Sequence, residues 1–173
     1  MENTYYTFTV PVFINTLNNL KAILAKAAVF AKEKGIDEGK LLDAKLADDM
    51  YPLVKQVQIA CDNAKGSVSR FTGKENPKHE DTEKTLEEIY ARIDKTIDFL
   101  NGFKPEDFEG AEKRTIVLPW MPEGMYFEAP AYLHNFVLAN FYFHYTTAYD
   151  ILRSLGVVIG KTDYIGNIEM KKA

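Results

Sequence analysis

Apolar residues recur at helical spacing in four long stretches of the chain. In Pro130 to Gly156, the positions Leu133, Val137, Asn140, His144, Thr147, Ile151 and Leu155 step by three or four, the spacing of one helix face. Asn140 and His144 interrupt this row, one turn apart and pointing the same way. In Tyr5 to Lys34 the row is Val10, Phe13, Leu17, Leu20, Leu24, Ala27 and Ala31. Pro11 removes a donor and clashes with a preceding turn, so this helix either starts near Val10 or kinks there. Gly35 reads as its stop. A second helix is expected to run to about Phe71 with Asp48 or Asp49 as its cap and Pro52 in its first turn. Its row is Met50, Val54, Val57, Cys61, Ala64, Val68 and Phe71, flanked by Gln58 and Asp62. A third runs from about Thr82 to Asn101, capped by Asp81 or Thr82, with Leu86, Ile89, Ile93, Ile97 and Leu100 as its row and Gly102 as its end.

The links differ in kind. Asp37 to Ala47 is a connector with one helical turn at most. Phe103 to Ala129 holds two short β-favouring runs, Thr115–Leu118 and Met125–Glu128, around Pro119–Gly124, which reads as a hairpin with a wide turn. The tail after Gly156 shows no helical period and is expected to pack back over the bundle. The fold class is therefore all-α: a four-helix bundle with a long crossover connection and a small β-hairpin between helices three and four. At 173 residues the chain forms one domain, residues 1–173.

Composition narrows the function classes. A hydrophobic fraction of 46% and a charged fraction of 27% are those of an ordinary globular protein. A net charge of −4 argues against nucleic acid as a partner, which needs a basic face. No apolar run is long enough to cross a membrane. Cys61 is the only cysteine, so no intramolecular disulfide forms. With no secretory signal visible, the expected location is cytoplasmic.

Three segments resemble a known superfamily: FYFHYTTAYDILRSLGV followed by GKTDYIG, DMYPLVKQVQIACDNAKG, and PVFINTLNNLKAIL. They are similar to the DinB-like superfamily, in a branch known as a domain of unknown function, and span essentially the whole chain. The resemblance implies a four-helix bundle with a crossover. It also implies a place for a metal, since metal-binding members use one histidine on helix two and an H-x-x-x-H pair on helix four. Matched on Leu152 to Gly156, the pair falls on Asn140 and His144 and the helix-two position on Gln58. Histidine is a good zinc or nickel ligand, whereas amide oxygens are weak, hard ones. Three histidines thus read Gln-Asn-His, a degenerate site in which no metal or other cofactor is expected.

The candidate ligand-binding residues are Gln58, Asp62, Asn140 and His144, expected to share a polar pocket inside the bundle, with His144 also the candidate catalytic acid–base. Each has a plainer reading: His144 as a core histidine satisfied by neighbours, Asp62 as a flank residue. An apolar surround lowers the pKa of His144; a carboxylate such as Asp62 would oppose that. Cys61 reads as a small buried hydrophobe and His79 as surface. Two functions fit. One is a small-molecule binding module that has lost a catalytic metal. The other is a pocket enzyme, a transferase or hydrolase on a small molecule, using His144 as acid–base, with or without a metal ion. A second row on helix four, Leu138, Tyr142, Tyr145 and Tyr149, lies opposite the first. A helix apolar on two faces needs further cover; a homodimer supplies it, or the hairpin and tail do.

Overall fold

The computed structural model describes residues 3–168 and 170. After a single turn, α1 (Thr4–Thr7), α2 (Val10–Lys34) starts with Pro11 in its first turn, where the missing N–H has no partner to lose. The helix therefore begins at Val10 instead of kinking. Gly35 closes it in the left-handed conformation, φ 63°. The connector carries one turn, α3 (Glu38–Leu42), capped by Asp37.

α4 (Leu53–Thr72) has no side-chain cap, and the expected cap at Asp48 or Asp49 is not used. Pro52 stands just outside the helix, with ψ 166°. A proline steers the residue before it away from helical backbone, so Tyr51 cannot continue the helix back toward Asp49. α5 (Leu86–Asn101) likewise starts later than Thr82. Thr85 and Glu88 form a reciprocal capping box, and Asp81 instead pairs with Lys55 and Arg92.

Two strands, β1 (Thr115–Ile116) and β2 (Phe127–Glu128), pair antiparallel with Thr115 opposite Glu128. The hairpin leads into one long helix made of α6 (Ala129–Ala131), a π-helical segment (Tyr132–Leu138) and α7 (Ala139–Ser154). A π turn holds an extra residue, so the core row shifts by one place along the chain. The buried row is Leu133, Val137, Phe141, Tyr145, Ala148 and Leu152. His144, Thr147 and Ile151 form its edge, Asn140 is only half-buried, and Leu155 is exposed.

The four long helices form the bundle. α2 packs on α5 and α7, and α4 packs on the same two, so α2 and α4 are diagonal to each other. Both the link carrying α3 and the link carrying the hairpin cross the bundle. The core between them is aromatic and aliphatic: Phe13 meets Phe141 with ring centroids 4.4 Å apart, and Leu17, Leu20, Ile23 and Leu24 are fully enclosed.

The tail is partly helical. α8 (Lys161–Ile165) lies across α2, where the Asn19 side chain donates to the Ile165 carbonyl at 2.9 Å and Lys26 pairs with Asp163 at 2.6 Å. Its Tyr164 ring packs on Tyr145, centroids 4.3 Å apart, and meets Tyr149 edge-on. The Tyr145 hydroxyl donates to the Tyr164 carbonyl at 2.6 Å. The tail thus covers Tyr145 and Tyr149, whereas Tyr142 stays exposed and Leu138 half-buried. Among the described residues no helix is long and apolar enough to cross a membrane.

Candidate functional site

α4 and the long helix run antiparallel, and polar side chains punctuate the seam between them. Near the start of α4, Gln56 donates from Nε2 to the Tyr51 carbonyl at 2.8 Å. That leaves its Oε1 facing His144 Nδ1, 2.7 Å away. An amide oxygen only accepts, so the bonding pattern places the His144 proton on Nδ1 and leaves Nε2 with a free lone pair. Nε2 has no protein partner among the described residues. Burial pushes the pKa of His144 down to about 4, which keeps the ring neutral near pH 7. Gln56 was not among the residues singled out from the sequence. Its signal was its place between Leu53 and Ala60 at helical spacing, on the flank of the core row.

Two residues on, and so on the other side of α4, Gln58 belongs to a different cluster. It is buried and donates from Nε2 to Glu83 at 2.8 Å. Arg92 of α5, its side chain only 2% exposed, donates to Glu83 and Asp62 at 2.9 Å each and to the Glu80 carbonyl at 3.1 Å. Lys65, almost equally buried, pairs with Asp62 at 3.2 Å. Burial is the largest single influence on the Glu83 carboxyl and would raise its pKa, but the bonds from Arg92, Gln58 and the backbone, together with the Arg92 charge, hold the group below its ordinary value. This network ties the loop before α5 to α4. Arg92 and Lys65 carried no legible signal, because their partners are distant in sequence.

Asn140 faces neither cluster. With Asp62, Asn63, Arg70, Trp120 and Phe136 it lines a cleft of about 280 Å³ between α4, the long helix and the hairpin turn. Trp120 and Phe136 lie with centroids 5.8 Å apart, and Phe136 stacks on Tyr132. Arg70 donates to the Tyr132 hydroxyl at 3.3 Å, at the far end of the cleft from His144. Asn63 Oδ1 is buried without a partner, and the Asn140 side chain makes no hydrogen bond among the described residues. Of the four candidate residues, the structure brings Asp62 and Asn140 to this cleft. It holds Gln58 against Glu83 and His144 against Gln56, so the single pocket of Gln58, Asn140 and His144 does not form.

A family model described as a domain of unknown function, DUF1993, matches residues 5–165. The chain belongs to the DUF1993 family. A solved structure described as a DinB family member protein from Shewanella denitrificans is 43% identical to it, covering 97% of this chain and 95% of that one, with a TM-score of 0.93. The fold is thus DinB-like throughout. No curated protein matches the chain.

The DinB-like metal position can be tested against the side chains of this DUF1993 protein. Gln58, Asn140 and His144 do not converge. Among the described residues no three His, Cys, Asp or Glu side chains gather as metal ligands. These donors do not fit a transition metal, which wants imidazole or thiolate at short range. Cys61 is fully buried, and burial pushes its thiol up to about 12, as an inert core group requires. His79 departs from its surface reading. It is half-buried, and both ring nitrogens are enclosed without a partner. The loop that carries it folds back over α4 and α5 through the Arg92 network, which a local reading of a polar stretch does not reveal.

Proposed function

We propose that this DUF1993 protein is a small-molecule binding module whose site is the cleft between α4 and the long helix, with no catalytic metal. The observation that carries the reading is the contrast within the cleft wall. Asn63 and Asn140 present unbonded amide groups beside the Trp120, Phe136 and Tyr132 rings. An apolar cleft with a few open polar groups is the usual make-up of a small-molecule site. The rings favour a planar ligand, and Arg70 favours one with an anionic edge. A cytoplasmic location fits the lone cysteine, held as a buried thiol.

The test uses Trp120, the only tryptophan in the chain. Anilinonaphthalene sulfonate, a planar aromatic anion, is titrated while Trp120 emission is followed. Saturable one-to-one quenching is expected, lost in Asn140→Phe, which fills the cleft without adding a second indole. Quenching that does not saturate, or that survives this substitution, overturns the proposal.

A second reading is favoured by one observation, the free Nε2 of a neutral His144 whose tautomer is fixed by Gln56. It makes the protein an enzyme, a transferase or hydrolase on a small molecule, with His144 as general base. Turnover of an activated acyl or aryl substrate that disappears in His144→Gln and changes its pH profile in Gln56→Leu separates this reading from simple binding.

A further inference from the structure

The wall that α4 gives to the cleft has one empty place. Ile59, Asn63, Gly66 and Arg70 step by four, three and four along one stripe of that helix, and Gly66 contributes no side chain to it. The Arg70 guanidinium fills the gap. A Cβ at position 66 would stand 2.7 Å from Arg70 Nη1, too close for both to stay. Seated there, Arg70 donates to the Tyr132 hydroxyl at 3.3 Å, its one side-chain hydrogen bond among the described residues. Burial pushes the Tyr132 pKa up, so this partner is a neutral phenol. It holds the guanidinium in place without cancelling its charge. Asp62 lines the same cleft, but its Oδ1 is bound by Arg92 at 2.9 Å and by Lys65 at 3.2 Å. Asn76, the other side chain beside Gly66, has its amide oxygen taken by Lys65. A guanidinium carries five N–H donors, and that of Arg70 is half-buried on the cleft wall with most of them unused.

We propose that the cleft takes an aromatic carboxylate, its ring against Trp120 and Phe136 and its carboxylate on Arg70, with Gly66 as the residue that sets this specificity. The assignment rests on the cleft being the binding site. Three features select the ligand class. The cation is a planar fork, which matches the two oxygens of a carboxylate. It stands in the last turn of α4, at the negative end of the helix dipole, where a second negative charge on the ligand is disfavoured. A monoanion therefore fits better than a phosphate dianion. The Trp120 and Phe136 rings offer faces for stacking, and a volume of about 280 Å³ suits one or two fused rings. With alanine at position 66 the guanidinium must leave its seat. The backbone need not move, because the clash is with the far end of a flexible side chain. Alanine also favours helix more than glycine does, so the substitution suits the fold.

The test is a fluorine NMR titration with a fluoronaphthoate and with the matching fluoronaphthamide, a neutral compound with the same rings. Wild type should bind the acid about tenfold more tightly than the amide, the scale of one charge-assisted hydrogen bond. Arg70→Gln should erase that preference by weakening the acid alone. Gly66→Ala should reduce the preference and leave the affinity for the amide unchanged, whereas a merely structural role would weaken both compounds together. Equal binding of acid and amide to wild type, or a preference that survives Arg70→Gln, overturns the carboxylate assignment. So does tighter binding of naphthyl phosphate than of the naphthoate. A full preference in Gly66→Ala removes Gly66 from the specificity. If neither fluorinated compound binds while anilinonaphthalene sulfonate still does, the carboxylate assignment falls and the cleft remains a binding site. If none of the three binds, both fall.

Discussion

The Arg92 network and the Asn140 cleft lie on the same helix, α4, and meet at Asp62, yet they treat polar groups in opposite ways. In the network, the terminal nitrogens of the guanidinium reach Asp62, Asp81, Glu83 and the Glu80 carbonyl, and Gln58 is bound to the same glutamate. In the cleft, Asn63 and Asn140 have no such partners. Polarity at a helix seam does not by itself mark function. A saturated polar group holds the fold, and an unsaturated one beside open space is free to hold something else.

The largest effect is expected from Arg92→Met. It removes the counter-charge of Glu83, Asp62 and Asp81, and breaking such a pair costs about 3 kcal/mol, the low end of the range because Asp62 and Asp81 are partly exposed. Urea unfolding at pH 7 measures it. A loss under about 1 kcal/mol would show that the network is not structural.

Next is the His144–Gln56 pair. Gln56→Leu leaves Nδ1–H unpartnered, at a cost of about 1–3 kcal/mol. The same pair has a pH signature. The folded state holds His144 at a pKa of about 4, below its ordinary value, so the unfolded chain takes up the proton first as pH falls. Stability should therefore decline as pH drops from about 6.5 toward 4, and His144→Phe should flatten that slope. His79, lowered in the same way, keeps its own share. A slope that His144→Phe leaves untouched would mean that the histidine is not buried neutral.

A smaller change is expected in the tail. Tyr164→Ala removes the ring packed on Tyr145 and Tyr149, at a cost of about 1 kcal/mol. It also uncovers the tyrosine row, so the variant should self-associate more than wild type in sedimentation at equal concentration. The smallest stability effect belongs to the cleft. Asn140→Ala should stay within about 0.5 kcal/mol of wild type. Its affinity for anilinonaphthalene sulfonate should nevertheless fall about tenfold, equivalent to ~1.4 kcal/mol. A large stability loss with unchanged binding would reverse the comparison.

The bundle itself was legible. Phe13, Leu17, Leu20 and Leu24, or Val57, Cys61, Ala64 and Val68, lie at helical spacing and are all buried. Helix spacing reports burial well because packing and periodicity are the same fact. What failed was the assignment of polar residues to a pocket. Gln58 was read toward Asn140, but its partner is Glu83, in a loop whose fold depends on long-range ion pairs. Gln56, which does face His144, looked like an ordinary flank residue. The helix starts were missed where Pro52 and the Thr85–Glu88 capping box overrode the nearest aspartates.

The π-helical segment also reaches into how such chains compare with one another. It stores one residue beyond the count of a regular helix between Tyr132 and Leu138. A single-codon deletion there removes the bulge without breaking the helix. Everything on its N-terminal side, including Tyr132 and Phe136, then turns by about 100° relative to Asn140 and His144. In a relative lacking that codon, a one-residue gap in mid-helix marks no loop. It marks a different set of side chains facing the cleft, and so a different specificity reached by a change in length instead of a change in residue type.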